Sequence, residues 1–339
     1  MSNVFAPSRA HAHVRGASLP GLVCRAIGTA VSLSPLSRRL SILMYHRISA
    51  QIDPLFPGEV DAARFDRQLD FLKQCFTIIP LREAGQMLAE GRLPARAACL
   101  TFDDGYADNA EVALPIMQQH GVSATVFVAT GFLDGGTMWN DSIIELVRRA
   151  PIDFDLRPLG LGEFRLSNDA ARSRAIGILL EALKYLPIDE RQVQVDAMIA
   201  LAGVTLPSDM MMRSEQVAQL HRQGIEIGGH TVNHPILARM DGPAARREIA
   251  DGKAALETIT GAPVRTFAYP NGRPGRDYLA EHVAMVRDTG FELAVTTSPG
   301  AAATRADCLQ LPRFTPWDRG QLGFTARMMR NLATDGATV

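Results

Sequence analysis

Short apolar runs alternate with amphipathic stretches along most of this 339-residue chain. Apolar runs bounded by polar residues are typical of buried strands, whereas Leu and Ile at three- and four-residue steps indicate helices. The predicted strands lie at residues 41–45, 76–80, 97–102, 123–129, 225–228, 264–269 and 292–297. The predicted helices between them lie at residues 65–75, 107–120, 215–223, 243–260 and 279–289. This alternation predicts βαβ units and a mostly parallel sheet.

The segment at residues 135–210 departs from this pattern. Its apolar spacing predicts three successive helices, at 139–150, 170–186 and 190–201, and it contains no chemical motif. We interpret it as a helical insertion in an α/β domain. The sequence leaves open whether the insertion caps a functional site or covers an edge of the sheet.

Composition and charge exclude some classes of function. The chain is 47% hydrophobic, only 6% aromatic, and has a formal net charge of −1, which argues against a nucleic-acid partner. The four cysteines are scattered without a CxxC pair, so they indicate buried thiols in a reducing compartment rather than a disulfide framework or a cysteine zinc site.

The N-terminal 52 residues contain six arginines and no acidic residue. Apolar positions within residues 22–31 recur at near-helical spacing, but the uncharged run is too short for a membrane-spanning helix, and no clear signal peptide is present. This pattern predicts an interfacial helix in peripheral contact with an anionic membrane. The alternatives are a helix packed on the surface of the domain and a disordered arm. We expect a cytoplasmic protein, with the inner membrane face as the alternative location. The predicted domains are an arm at 1–40, a catalytic domain at 41–320 and a tail at 321–339.

Polar residues that are suited to catalysis follow the predicted strands, where α/β barrels build their sites. Asp103 and Asp104 end one strand in the motif TFDDG. Adjacent carboxylates are costly unless a cation neutralises one of them, and a divalent ion could bind one Asp while the other acts as a base. The alternative is that the pair caps the following helix.

Two histidines follow a later strand. His230 and His234 in HTVNH lie on one face if the segment is helical, or can converge in a compact turn. Two imidazoles and one carboxylate make a three-ligand metal site with open positions for water and substrate. Each histidine alone could equally be a structural residue.

TFDDG followed by HTVNH resembles the signature of the polysaccharide deacetylases, the NodB-homology domain of carbohydrate esterase family four, over residues 42–317. The resemblance implies an α/β fold, a distorted (β/α) barrel of about seven strands. It also implies that Asp103 is the catalytic base and that Asp104, His230 and His234 bind a divalent metal. We expect the metal to be Zn²⁺.

The segment FAYPNG departs from the family pattern, because Ala268 stands where an Arg usually orients the base. We predict Arg313 as its substitute, the alternative being a surface arginine. The backbone N–H of Asn271 is the predicted oxyanion donor. Tyr269 in the same segment is a predicted substrate-binding residue.

The opening LMYHRI resembles that of the poly-N-acetylglucosamine deacetylases, and this resemblance implies that His46 is the general acid. The alternative is that His46 is a structural histidine at the end of a strand. Trp139, beside Asn140 and Asp141, is a predicted sugar-binding residue, or else a buried tryptophan at the start of a helix.

We therefore predict a metal-dependent hydrolase that removes N-acetyl groups from an amino-sugar polymer or glycan, in exopolysaccharide or cell-surface glycan synthesis. Two other functions remain open. One is hydrolysis of O-acetyl esters or small amides on the same fold. The other is glycan binding without catalysis.

Overall fold

A computed structural model describes residues 38–339, which form one curled, mostly parallel sheet flanked by helices. The strands of the sheet are β1 Arg39–Tyr45, β2 Thr77–Ile78, β3 Ala97–Phe102, β4 Thr125–Val128, β7 Glu226–Gly229, β8 Thr266–Ala268, β9 Leu293–Val295 and β10 Ala302–Ala303. Their order is β10-β1-β3-β4-β7-β8-β9, with β2 beside the start of β3. Among the described strands of this sheet, only β10 runs antiparallel to its neighbour.

Residues 311–314 link the two ends of this sheet. The Leu311 carbonyl accepts a hydrogen bond from Thr296 N beside β9 (2.9 Å), and the Phe314 carbonyl accepts one from Met44 N in β1 (2.9 Å). The predicted distorted barrel is therefore confirmed. The short linking segment also carries Arg313 into the interior, where it has no exposed surface.

The helices pack mainly outside the sheet. They are α1 Ala62–Cys75, α2 Leu81–Ala89, α3 Leu114–His120, α4 Trp139–Arg149, α5 Asp169–Leu183, α6 Ile188–Ala202, α7 Ser214–Arg222, α8 Gly242–Thr260, α9 Ala280–Asp288 and α10 Gln321–Leu332. The predicted helix at 107–120 is in fact a π-helical turn followed by α3. Pro115 in the first turn of α3 explains the break, since it lacks the N–H that a continuous helix needs.

Two helices were not predicted. α2 follows Pro80 directly, and α10 lies within the segment that we predicted as a C-terminal tail. Phe324, Met328 and Leu332 of α10 are buried in the main core, so this part of the tail belongs to the packed structure.

The segment predicted as a helical insertion has a hydrophobic cluster of its own. It comprises α4, α5, α6 and a small hairpin of β5 (Asp153–Asp155) and β6 (Glu163–Arg165), which was not predicted. Leu55, from the loop after β1, is buried in the same cluster. The insertion therefore packs against a loop at the carboxyl end of the barrel.

The predicted N-terminal arm lies outside the described residues except for its last three, and β1 begins at Arg39 within it. Cys75, Cys99 and Cys308 form no disulfide within the described residues, and Cys24 lies outside them. No helix within residues 38–339 combines the length and apolar character needed to span a bilayer.

Candidate active site

The predicted catalytic residues gather at the carboxyl ends of the barrel strands. Asp103 and Asp104 follow β3, His46 follows β1, and His230 follows β7. All four line one cavity of about 630 Å³. Because parallel strands end at the same edge of the barrel, residues that are far apart in sequence meet there.

Asp104, His230 and His234 form a compact group. Asp104 Oδ1 lies 3.4 Å from His230 Nε2 and 3.5 Å from His234 Nε2, and the three ligand atoms lie within 4.8 Å of one another. Asp104 Oδ1 is buried and accepts no hydrogen bond within the described structure. A buried carboxylate oxygen without a partner is costly, and a divalent cation would satisfy it. The residues present therefore fit the predicted metal.

Each imidazole has one feature that suits metal binding. His230 Nδ1 lies 2.7 Å from the Ala268 carbonyl, which leaves Nε2 facing Asp104. Metal-bound histidines are usually held through the other ring nitrogen in this way. Burial lowers the pKa of His234 to about 4, which favours the neutral imidazole that a metal requires.

Asp103 forms a buried bidentate ion pair with Arg313. The Arg313 Nη1 and Nη2 groups donate to the two Asp103 carboxylate oxygens at 2.7 Å each. Arg313 Nε donates to the Thr296 carbonyl (2.9 Å), which fixes the guanidinium. Although burial raises the pKa of Asp103, Arg313 lowers it below its ordinary value, so the carboxylate stays ionised. Arg313 is therefore in the position that it would need in order to orient Asp103 as a base.

The backbone of the site is strained. Asp104 (φ 75°), Thr231 (φ 66°), His234 (φ 51°) and Asn271 (φ 57°) all adopt left-handed conformations. Such conformations cost about 1–3 kcal/mol each in non-glycine residues and cluster at functional sites. Gly105, at φ 88°, completes the turn that lets both aspartates face the cavity.

The predicted proton donor and oxyanion donor both reach the cavity. His46 is exposed on its wall, and its backbone carbonyl is held by Asn109 Nδ2 (2.8 Å). Within residues 38–339, the Asn271 N–H makes no hydrogen bond, while its carbonyl accepts one from Thr297 Oγ1 (2.6 Å). An unpaired N–H in the cavity wall is free to donate to a substrate oxygen. The roles of both residues remain predictions.

Comparison with known proteins agrees with this arrangement. The family model described as polysaccharide deacetylase matches residues 90–155 and 190–294, about half of the chain, and spans both motifs. The chain belongs to the polysaccharide deacetylase family. The unmatched residues between these ranges lie in the predicted insertion.

Individual relatives resemble this deacetylase at low identity. YxkH of Bacillus subtilis, named provisionally as a polysaccharide deacetylase, is 22% identical over 267 residues, 78% of this chain and 67% of its own. The Streptococcus pyogenes deacetylase PplD, solved with acetate, superposes with a TM-score of 0.59 at 21% identity, covering 87% of this chain and 98% of its own. IcaB of Ammonifex degensii gives a TM-score of 0.57 at 19% identity over 88% and 98%. These two likenesses establish the fold.

Of the two predicted sugar-binding residues, Tyr269 is buried and Trp139 is partly covered. Tyr269 has no exposed surface and stacks on Tyr278 with ring centroids 3.9 Å apart. Trp139 is half-buried in the cavity wall, and the Arg191 guanidinium lies 4.6 Å from its ring centroid. Contact of Tyr269 with a sugar would require rearrangement, and the Arg191 side chain covers part of the Trp139 ring. Substrate binding by either residue remains a prediction.

Sequence reasoning missed Glu248 of α8. Its carboxylate accepts hydrogen bonds from Val232 N (2.9 Å) and from both Asn233 N (2.8 Å) and Asn233 Nδ2 (2.7 Å). A Cβ at Gly252, one helical turn later, would lie 2.8 Å from the Thr231 backbone, so glycine permits α8 to approach the loop. Glu248 thus holds the loop between the two histidines. No local pattern in the sequence marks a carboxylate fourteen residues after a histidine.

A second missed group lines the deacetylase cavity itself. The Tyr106 hydroxyl donates to Asp141 Oδ2 (2.9 Å), and the Arg47 guanidinium lies 5.1 Å from the Tyr106 ring centroid. Burial raises the pKa of Asp141 to about 7. Asp141 stands out in the sequence only as a polar neighbour of Trp139, and Tyr106 only as the residue after TFDDG.

Proposed function

We propose that this deacetylase hydrolyses N-acetyl groups on the amino sugars of a polysaccharide or glycan. The observation that carries the proposal is the Asp104–His230–His234 group beside an Asp103 carboxylate held by Arg313. The open cavity of about 630 Å³ is within the ~300–1,000 Å³ of small-molecule sites and so accommodates an acetylated sugar unit. Exopolysaccharide or cell-surface glycan synthesis is the proposed setting.

The proposed cofactor is a divalent ion, with Zn²⁺ as our choice, because two imidazoles and a carboxylate are typical zinc ligands. Held by Asp104, His230 and His234, the ion would supply Lewis acidity at the acetyl carbonyl and make water more acidic. His230 and His234 contribute neutral nitrogen ligands, and Asp104 contributes the charge that the ion needs.

The proposed proton transfers use the chain's own groups. Asp103 removes a proton from the water that attacks the acetamide carbonyl, and Arg313 keeps the Asp103 carboxylate ionised and oriented. The Asn271 N–H donates to the oxygen that becomes negative in the tetrahedral intermediate. His46, when protonated, donates a proton to the leaving nitrogen as the carbon–nitrogen bond breaks. The products are acetate and a free amino sugar.

Acetate release tests the proposal. Purified protein supplied with Zn²⁺ should release acetate and expose new amines on N-acetylglucosamine oligomers, and Asp103→Asn should abolish both. Acetylated xylan and a panel of small cyclic amides serve as comparison substrates. Acetate release from xylan alone, or hydrolysis of the small amides alone, would contradict the proposal. If the protein binds N-acetylglucosamine oligomers but releases no acetate from them, it is a glycan-binding protein without catalysis.

A further inference from the structure

Three basic side chains of the insertion, those of Arg148, Lys184 and Arg191, line the wall of the active-site cavity. Arg191 lies in the first turns of α6, and Lys184 follows the end of α5. Both line the same cavity as Asp103 and His230. Arg191 is 8% exposed, so its charge is largely removed from solvent.

Arg191 differs from the other arginines at the site in having no carboxylate partner. Arg313 pairs with Asp103 at 2.7 Å, Arg148 with Asp53 at 2.6 Å, and Arg47 with Asp108 at 2.9 Å. Within residues 38–339, Arg191 forms no ion pair. Glu181, which lines the same cavity, is exposed and does not pair with it.

Arg191 makes few hydrogen bonds for a buried guanidinium group. Its Nη1 donates to the Lys184 carbonyl at 3.4 Å, near the outer limit for a hydrogen bond, and its guanidinium rests over Trp139. Burial lowers the pKa of Arg191, with no nearby carboxylate to offset the loss of solvent. Buried guanidinium groups are usually paired, so an anion from outside the chain is the missing partner.

We propose that Arg191, seated on Trp139, binds the carboxylate of an acidic sugar adjacent to the N-acetylated unit of the substrate. This inference rests on the proposed function and specifies its substrate as an anionic glycan. The planar fork of a guanidinium matches a carboxylate with two parallel hydrogen bonds, and uronic acids carry that group on the sugar ring itself. Lys184 adds a second positive charge to the same wall.

The size of the cavity agrees with a substrate longer than one sugar. Its volume of about 630 Å³ lies in the range of sites that bury drug-sized ligands, and a disaccharide is a ligand of that size. One sugar would place its acetamide beside Asp103, and the neighbouring acidic sugar would extend toward the insertion. The insertion would then determine which glycans are accepted.

Tetrasaccharides of alternating N-acetylglucosamine and glucuronic acid test the proposal, compared with the same molecules after reduction of the carboxyl groups to alcohols. We expect kcat/KM for acetate release to be about 10-fold or more higher on the charged form, because a charge-assisted hydrogen bond contributes this much. Arg191→Gln should remove that preference through KM rather than kcat. Arg191→Lys, which keeps the charge but not the fork, should retain part of it.

Arg157→Gln is the matched control. Arg157 is an exposed arginine of the same insertion, pairs with Asp155 at 2.7 Å and does not line the cavity, so the preference should persist. Equilibrium binding of the tetrasaccharides, measured by calorimetry, and thermal unfolding of each variant accompany the kinetics. If Arg191→Gln does not fold, Arg191→Lys is compared with the unmodified protein instead.

The outcomes separate this inference from the proposed function. Equal kcat/KM and equal binding for charged and reduced tetrasaccharides in the unmodified protein would overturn the inference while leaving deacetylation intact. An undiminished preference in folded Arg191→Gln, or in folded Arg191→Lys if the glutamine variant does not fold, would also overturn it. Charge-selective binding that Arg191→Gln abolishes, without acetate release from either form, would support the anion site and contradict the proposed function.

Discussion

Replacement of Arg313 by methionine should affect both the stability of the fold and the reaction. Arg313 has no exposed surface, and its two hydrogen bonds of 2.7 Å to Asp103 lie in the barrel interior. Removing one partner of a buried ion pair typically costs about 3–5 kcal/mol, because the other charge is left uncompensated. Since whole domains are stable by only about 5–15 kcal/mol, Arg313→Met should lose a large fraction of the free energy of unfolding.

The same substitution should change the pH dependence of the reaction. Burial raises the pKa of Asp103 and Arg313 lowers it, so without the guanidinium the carboxyl should remain protonated to a higher pH. A protonated Asp103 cannot accept a proton from water. The acidic limb of the kcat/KM profile should therefore move to higher pH, and kcat should fall by about 10²–10⁴-fold at neutral pH.

Urea unfolding and pH–rate profiles measure the two effects separately. Arg313→Lys should be less damaging in both assays, because it retains a positive charge near Asp103 without the bidentate geometry. Arg246→Met is the control, since within residues 38–339 Arg246 forms only an exposed pair with Asp288. This substitution should change stability by less than about 1 kcal/mol. Unchanged stability and an unchanged acidic limb in Arg313→Met would refute the proposed orientation of the base.

Three further predictions concern single residues. His46→Gln should lower kcat by about 10²–10⁴-fold while metal content, measured by mass spectrometry, stays unchanged; full activity would exclude His46 as the acid. Glu248→Gln should weaken Zn²⁺ affinity about 10–100-fold in a competition titration, because the loop between the histidines loses a charged acceptor; unchanged affinity would contradict this positioning role. Asp141, whose pKa burial raises from 3.8 to about 7, contributes stability that is present below about pH 4 and lost as pH rises through about 7. Asp141→Asn should therefore gain stability relative to the unmodified protein between pH 4 and 8, by at most about 4 kcal/mol in urea unfolding; a constant difference would contradict the shifted pKa.

Strands and ligand motifs were predictable where the local pattern is strong. β3 occupies the predicted residues 97–102, because a largely apolar run ends abruptly at two aspartates. The four predicted ligand and base residues follow β3 and β7, and the topology of parallel strands brings them together without further information.

Other features depend on tertiary contacts that no local pattern shows. α10 lies in the segment assigned to a tail, and the structure buries Phe324 and Leu332 against the barrel. Glu248 and Arg191 act through neighbours in other segments of the chain. Their surroundings become visible only after α8 and the insertion are placed around the cavity.

The most direct test of the account is metal analysis combined with acetate release on three proteins. The unmodified chain and Asp103→Asn should each bind one divalent ion, but only the unmodified chain should release acetate from N-acetylglucosamine oligomers. His230→Ala should lose both the ion and the activity, since it removes a ligand that lies 3.4 Å from Asp104 Oδ1. Near-normal acetate release by Asp103→Asn, or an ion retained at full affinity by His230→Ala, would contradict the account.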